Sequence, residues 1–249
     1  MAMPDPVWAL TGLAALAAGM LNAMAGGGSF LTFPALVFAG IDPVAANATS
    51  AMAVSPGYLG STLGFQAELR ELPGQRLRQE VLVAAAGGVL GALLLLGTPE
   101  RLFSGLVPWL LLLATGLFAL GPWLASRRGQ TAGHPRWRLP GLLLVALYGG
   151  YFNGGLGILL MALYTLVGEQ RLNTLNALKN LNSLVLSLLS VLAFALAGAI
   201  VWPQALWMMV WATLGGWLGA RLARRLPATW VRKLVIATGL VMSTVFFLR

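Results

Sequence analysis

Cysteine is absent from the chain, and histidine occurs once, as His134 in a polar stretch. Disulfide, thiol and haem-attachment chemistry are therefore excluded, and a histidine-built metal site lacks ligands. No cofactor is expected. Charge is also scarce: Asp, Glu, Lys and Arg make up 9% of the residues, against about 25% in a soluble domain. Acids inside the apolar runs are nearly absent, and no run carries the paired carboxylates of a proton relay. No Walker-type loop is present, so ATP drive is not expected. An intramembrane enzyme would need a nucleophile with a base, and no such set exists, so the chain is not read as an enzyme. Only Asp5, and no Lys or Arg, precedes the first apolar run. A cleaved signal peptide needs a basic start, so residues 8–25 read as mature protein.

What the chain has in quantity is apolar surface. Hydrophobic residues make up 58% of it, and the mean hydropathy is +0.81. Apolar runs of about 20 residues recur, the length that crosses a bilayer as helix. The alternating pattern of barrel strands is not seen. The expectation is an all-α, polytopic membrane protein with lipid as its surroundings. The net charge of +9 would suggest nucleic acid in a soluble protein. Here the basic residues sit between apolar runs, as topology signals do, and no nucleic-acid partner is expected.

The first run, residues 7–38, is interrupted by Gly26, Gly27, Gly28 and Ser29. A second, residues 140–167, is interrupted by Asn153, Gly154, Gly155, Leu156 and Gly157. Breaking a helix in hydrocarbon frees backbone groups that cost several kcal/mol each if left bare. Two glycine-broken segments at matching places in two halves point to the binding site of a membrane transporter. The unbroken runs are 44–65, 79–96, 102–124, 174–198, 204–222 and 229–248, with a kink or notch expected near Pro56 and Gly57. Trp8, Trp109, Trp123, Trp137, Trp202, Trp207 and Trp230 lie near run ends, where aromatic belts form.

The two halves are related. Gly87, Gly88, Leu90, Gly91, Ala92 and Leu94 recur 128 residues on as Gly215, Gly216, Leu218, Gly219, Ala220 and Leu222. Pro99 and Pro227, and Leu106 and Leu234, keep that offset. Asn47 with Asn176, and Gly28 with Gly157, stand 129 apart. This is an internal duplication: residues 1–124 form one repeat, 125–139 a cytoplasmic linker, and 140–249 the other.

Its sense follows from charge. Arg70, Arg76 and Arg78 form one basic loop, and Arg127, Arg128, Arg136 and Arg138 a second. Arg221, Arg224, Arg225, Arg232 and Lys233 form a third. All three lie on the cytoplasmic side only if segment 140–167 dips in and returns, its halves of about 12 residues being too short to span. The matching segment 7–38 then dips in from the other face. Each repeat has three spans and a re-entrant pair, and the repeats are inverted. Eight full crossings with parallel repeats is the competing arrangement, and it places the third cluster outside.

A half-helix beginning in mid-membrane aims its free N–H groups and positive dipole end inward. Gly26, Gly27, Gly28 and Ser29, with Asn153, Gly154, Gly155 and Gly157, are thus candidates for two facing anion cradles; tight packing or a hinge is the plainer alternative. Asn47, Thr49 and Ser50 follow one break, and Asn176, Lys179 and Asn180 the other, with Asn182 and Ser183 beyond. Asn176, Lys179, Asn180 and Ser183 share one helix face. Lys179 is a cation inside a span, hence a functional candidate, unless it snorkels to the headgroups. Gly87 with Gly91, and Gly215 with Gly219, read as helix-packing pairs. Asp42 and Glu169 occupy the turns after the breaks, placed either to titrate or to cap a helix, with capping the plainer reading.

At these residues the chain resembles the TauE/SafE family of sulfite-exporter permeases. The likeness covers nearly the whole chain and rests on the glycine break ending in Pro34, on Asn47, Ala48, Thr49 and Ser50, on residues 153–157, and on Asn176, Ala177, Lys179 and Asn180. Ser29 departs from the pattern, replacing a frequent fourth glycine with a hydroxyl. The resemblance implies a transporter in a bacterial inner membrane that exports a small anion such as sulfite or a C2 sulfonate like sulfoacetate. A channel or facilitator for other small anions, and a membrane scaffold, are the alternatives. A homodimer is left open.

Overall fold

The computed structural model describes residues 5–24, 26–127, 135–222 and 228–248. His134 lies outside them, as do the side chains of Trp123, Arg127, Arg128, Arg221, Arg224, Arg225, Trp230 and Arg232.

The chain is a helical bundle. Both glycine interruptions break it: the first separates α1 (Asp5–Met24) from α2 (Ser29–Phe38), the second α7 (Arg138–Tyr151) from α8 (Leu156–Leu166). The remaining helices are α3 (Pro43–Gly64), α4 (Gln66–Arg70), α5 (Gly74–Leu96), α6 (Glu100–Arg127), α9 (Leu172–Leu196), α10 (Trp202–Leu222) and α11 (Ala228–Phe247). Four helices among the described residues are long and apolar enough to cross a membrane: those holding Pro6–Ala23, Gly74–Leu96, Glu100–Leu120 and Leu172–Leu196. This is a polytopic, all-α membrane protein.

Several details differ from the sequence expectation. The arms of the breaks are unequal: α1 has 20 residues and α2 has 10, α7 has 14 and α8 has 11. At about 1.5 Å per residue α1 is long enough to cross by itself, because no glycine pair interrupts it before Met24. α4 lies within what reads as a loop, whereas α3 is the single helix expected, with Pro56 inside it. α5 begins at Gly74, ahead of the apolar run itself.

Helices from the two halves of the chain pack on one another. α1 packs along α10, and α7 along α5. Both pairs run parallel. Trp8 meets Trp207 edge-on at 5.7 Å, and further on Gly219 faces Met20. Arg138 reaches Gln79, and further on Gly87 faces Ala146. Glycine makes these contacts close: a β-carbon at Gly219 would stand 2.6 Å from the Met20 Cα, and one at Gly87 2.6 Å from the Ala146 Cβ. At Gly215 and Gly91 it would collide with the carbonyls of Leu16 and Leu147. The duplicated glycine pairs are thus packing surfaces, as the small-residue spacing implies.

The ends of the broken segments are fixed by contacts. Arg138 begins α7 and Glu169 follows α8, and both meet the first two turns of α5, at Glu80 and Arg76. The α7–α8 hairpin therefore starts and finishes at one end of the bundle, here the Glu80 end. Trp8 begins near the start of α10, while the turn after α2 borders Glu100, Ser104 and Phe246. Those residues start α6 and finish α11, at the opposite end.

Candidate functional site

The two breaks meet. A β-carbon on Gly26 would lie 3.2 Å from the Gly157 Cα, and one on Gly157 3.1 Å from the Gly26 Cα. No side chain fits between them. Gly26 and Gly155 turn the chain with φ of +83° and +75°, left-handed values that favour glycine. They stand at the repeat offset of 129 residues. Gly155 is the cap residue of α8 and is wedged between Ala114 and Phe30. Its Cβ would be 2.8 Å from that of Ala114. The starts of two short helices, α2 and α8, thus come together in the buried centre.

Their backbone groups are partly satisfied. Asn22 accepts from the Gly28 amide at 2.8 Å. In the second break the amides of Ile158 and Leu159 donate to the Gly155 carbonyl at 3.0 and 3.1 Å, while among the described residues those of Gly155 and Gly157 make no such turn bond. The Tyr148 hydroxyl donates to the Gly154 carbonyl at 2.8 Å.

Asn47 reaches from α3 to the end of α7. Its Nδ2 donates to the Tyr151 carbonyl at 3.2 Å, and its Oδ1 accepts from the Asn153 amide at 3.3 Å. One carboxamide thus spans the gap where α7 stops. Asn153 itself is 2% exposed, yet among the described residues neither polar atom of its side chain has a hydrogen-bond partner. An unpaired buried amide costs about 1–3 kcal/mol, and such a group in a native site calls for an explanation.

The other hydroxyls join helices. Thr32 and Ser50 share a 2.6 Å hydrogen bond between α2 and α3. The Thr49 hydroxyl accepts from the Val201 amide at 3.0 Å. Ser55 and Ser187 meet at 2.9 Å where α3 crosses α9. Gly27, Ser29 and Gly154 are buried beside the breaks.

On α9, Asn176 is half-buried, and Lys179 and Asn180 are buried. Among the described residues, no hydrogen bond joins these three to either break. Lys179 is 8% exposed, and no carboxylate of the described residues forms an ion pair with it. Its side chain is held within the bundle. The Ser183 hydroxyl is buried without a partner.

Sequence reasoning missed a charged cluster. Glu80 is fully buried. Its Oε1 faces Arg76 Nε at 3.2 Å and Arg138 Nη1 at 3.5 Å. Its Oε2 accepts from the Tyr164 hydroxyl at 2.6 Å and from Asn182 Nδ2 at 3.1 Å. Arg76 also pairs with Glu169 at 3.1 Å. Glu80 is the second residue of the run 79–96, four after Arg76; that spacing was the available signal. Asp42 sits at the cap position of α3 without a side-chain bond, and Glu169 serves an ion pair rather than a cap.

A membrane-embedded helical bundle in which two broken helices meet at a buried polar centre has the build of a transporter. The chain belongs to the TauE/SafE sulfite exporter family, whose sequence profile matches residues 11–246. It is 29% identical over 242 residues to the "Probable membrane transporter protein YfcA" of Escherichia coli (strain K12), covering 92% of this chain and 85% of that one. It is 29% identical over 232 residues to a "Probable membrane transporter protein" of Haemophilus influenzae, covering 91% and 89%. A Sinorhizobium protein, "Probable membrane transporter protein ORF9", is 28% identical over 237 residues, covering 93% and 88%. No solved structure matches the chain.

Proposed function

We propose that this membrane transporter exports small sulfur-containing anions, sulfite or C2 sulfonates such as sulfoacetate, across a bacterial inner membrane by alternating access. The anion binds beside the junction of the two breaks. Residues 1–124 and 140–249 act as inverted repeats, each with three spans and one re-entrant pair. The contact of Gly26 with Gly157, beside the unpartnered amide of Asn153, carries the reading. Two helix starts there put positive dipole ends together, and Asn153 has hydrogen-bonding capacity to give. Lys179, buried without an acid, supplies attraction from α9. The opposite ends at which the two hairpins enter support inversion.

A cytoplasm-negative potential drives an anion outward by about 2.3 kcal/mol per charge per 100 mV. Export needs no coupling ion on that account. The family's description as a sulfite exporter supports the substrate class.

The test is flux from proteoliposomes of purified protein loaded with sulfite or sulfoacetate under an imposed potential. The expected result is potential-dependent efflux that Asn153→Ala and Lys179→Ala reduce by about tenfold or more, the loss of one hydrogen bond to charge. Absence of flux for both anions, or unchanged flux in both variants, overturns the reading.

A further inference from the structure

We infer that Glu80 is a positioning residue for transport: it pins the α7–α8 hairpin and so keeps the Glu80 end of the bundle closed. This rests on the alternating-access reading, since a pin matters to transport only if that end opens.

The argument begins with the number of elements that one carboxylate holds. Glu80 belongs to α5. Its partners come from α5 itself (Arg76), from the start of α7 (Arg138), from α8 (Tyr164) and from α9 (Asn182). Asn182 Nδ2 also lies 2.6 Å from the Tyr164 hydroxyl. Arg76 extends the network to Glu169, beyond the end of α8. Both termini of the hairpin are thus tied to the first two turns of α5 through Glu80 and Arg76.

The network is also one-sided. At the repeat offset of 128 residues, Glu80 corresponds to Met208 and Arg76 to Gln204. Met208 and Gln204 are buried and uncharged. The first hairpin, α1–α2, therefore has no such anchor at the equivalent place on α10. It is held there by a tryptophan pair instead: Trp8 meets Trp207 edge-on, and Trp207 Nε1 donates to the Trp8 carbonyl at 2.9 Å. Two repeats that pack alike in their helices differ in what fastens their hairpins.

The consequence follows from the cost of breaking a buried pair. Removing one partner strands the others as uncompensated buried charge, which is strongly destabilising. Glu80→Gln leaves Arg76 and Arg138 without their shared acid while keeping the side chain's shape. In a two-state protein that loss is borne by the state in which the network is formed, so the equilibrium moves toward the open form. The effect acts on the Glu80 end alone.

The natural absence of cysteine makes the measurement direct. Ser183→Cys places a reporter next to Asn182 on α9, where the native hydroxyl is buried and unpartnered. Ala46→Cys places a second in the first turn of α3, buried at the opposite end. Each is labelled with a membrane-impermeant methanethiosulfonate in oriented vesicles, with and without Glu80→Gln. The expected result is a rise of about tenfold or more in Ser183→Cys labelling from the Glu80 side, with Ala46→Cys labelling unchanged or slower. Glu80→Asp should restore part of the protection. Equal acceleration of both reporters would mean general loosening and would overturn the inference, as would an unchanged Ser183→Cys rate. The labelling needs no substrate. A one-sided opening in a protein without anion flux would sink the transport reading and leave the pin in place.

Discussion

Asn47 and Asn153, 106 positions apart, are joined through the side chain of one and the backbone of the other. The two asparagines do opposite things. Asn47 spends its carboxamide on the main chain across a break, whereas Asn153 lends its amide N–H to that bond and keeps its side chain unused.

That contrast predicts a dissociation between stability and transport. Asn47→Ala removes two hydrogen bonds from a buried backbone and should destabilise the protein by about 1–3 kcal/mol. Asn153→Ala removes an unsatisfied group and should leave the melting temperature equal or higher. It should nevertheless reduce anion flux by about tenfold or more. Thermal unfolding in detergent, paired with flux, reads both.

Lys179 gives a second prediction. Replacing a buried cation that has no acid partner among the described residues with an apolar side chain of similar length relieves a desolvation cost of several kcal/mol. Lys179→Met should raise thermal stability and also raise the KM for an anion by about tenfold or more. Lys179→Arg should restore much of the affinity. A KM that does not move in Lys179→Met counts against its contact with substrate.

The glycines separate into three groups by what surrounds them. Gly215→Val drives a side chain into the Leu16 backbone and should cost about 1–3 kcal/mol or more. Gly57 lies within α3 with open space around it, so Gly57→Ala should stabilise by up to about 1 kcal/mol. Gly40 also has open space but a φ of +84°, so Gly40→Ala should cost about 1–2 kcal/mol from backbone strain alone. Melting temperatures of the three variants rank them.

Ser55 and Ser187 offer a measure of the α3–α9 crossing. A double-mutant cycle to alanine should give a coupling of about 0.6 kcal/mol, the usual size for such bonds between membrane helices. A value near zero would mean that Ser55 relies on its bond to the Ala51 carbonyl.

Much of this architecture was legible in the chain. Apolar length marked the helices, because hydrocarbon imposes it. The glycine runs marked both breaks, and the repeat offset paired Gly28 with Gly157; that Gly26 and Gly155, at the same offset, are the residues with positive φ is visible only in the structure. What the sequence withheld was partner choice. Nothing local in Asn47 says that it faces Tyr151 rather than an anion, since both want the same amide. Glu80 escaped notice because its partners Arg138, Tyr164 and Asn182 come from three other helices, and only tertiary packing assembles them. The uneven arm lengths were hidden too: α1 and α7 stop where glycine or packing ends them, which hydropathy does not register.

The packing between halves of the chain bears on how the protein is made. α1 is synthesised long before its neighbour α10, and the Trp8–Trp207 contact spans 199 positions. Until then the glycine-lined face of α1 has no mate. Assembly in the membrane must therefore shelter the opening hairpin through most of translation, and neither half, expressed without the other, would own the surface it needs to finish folding.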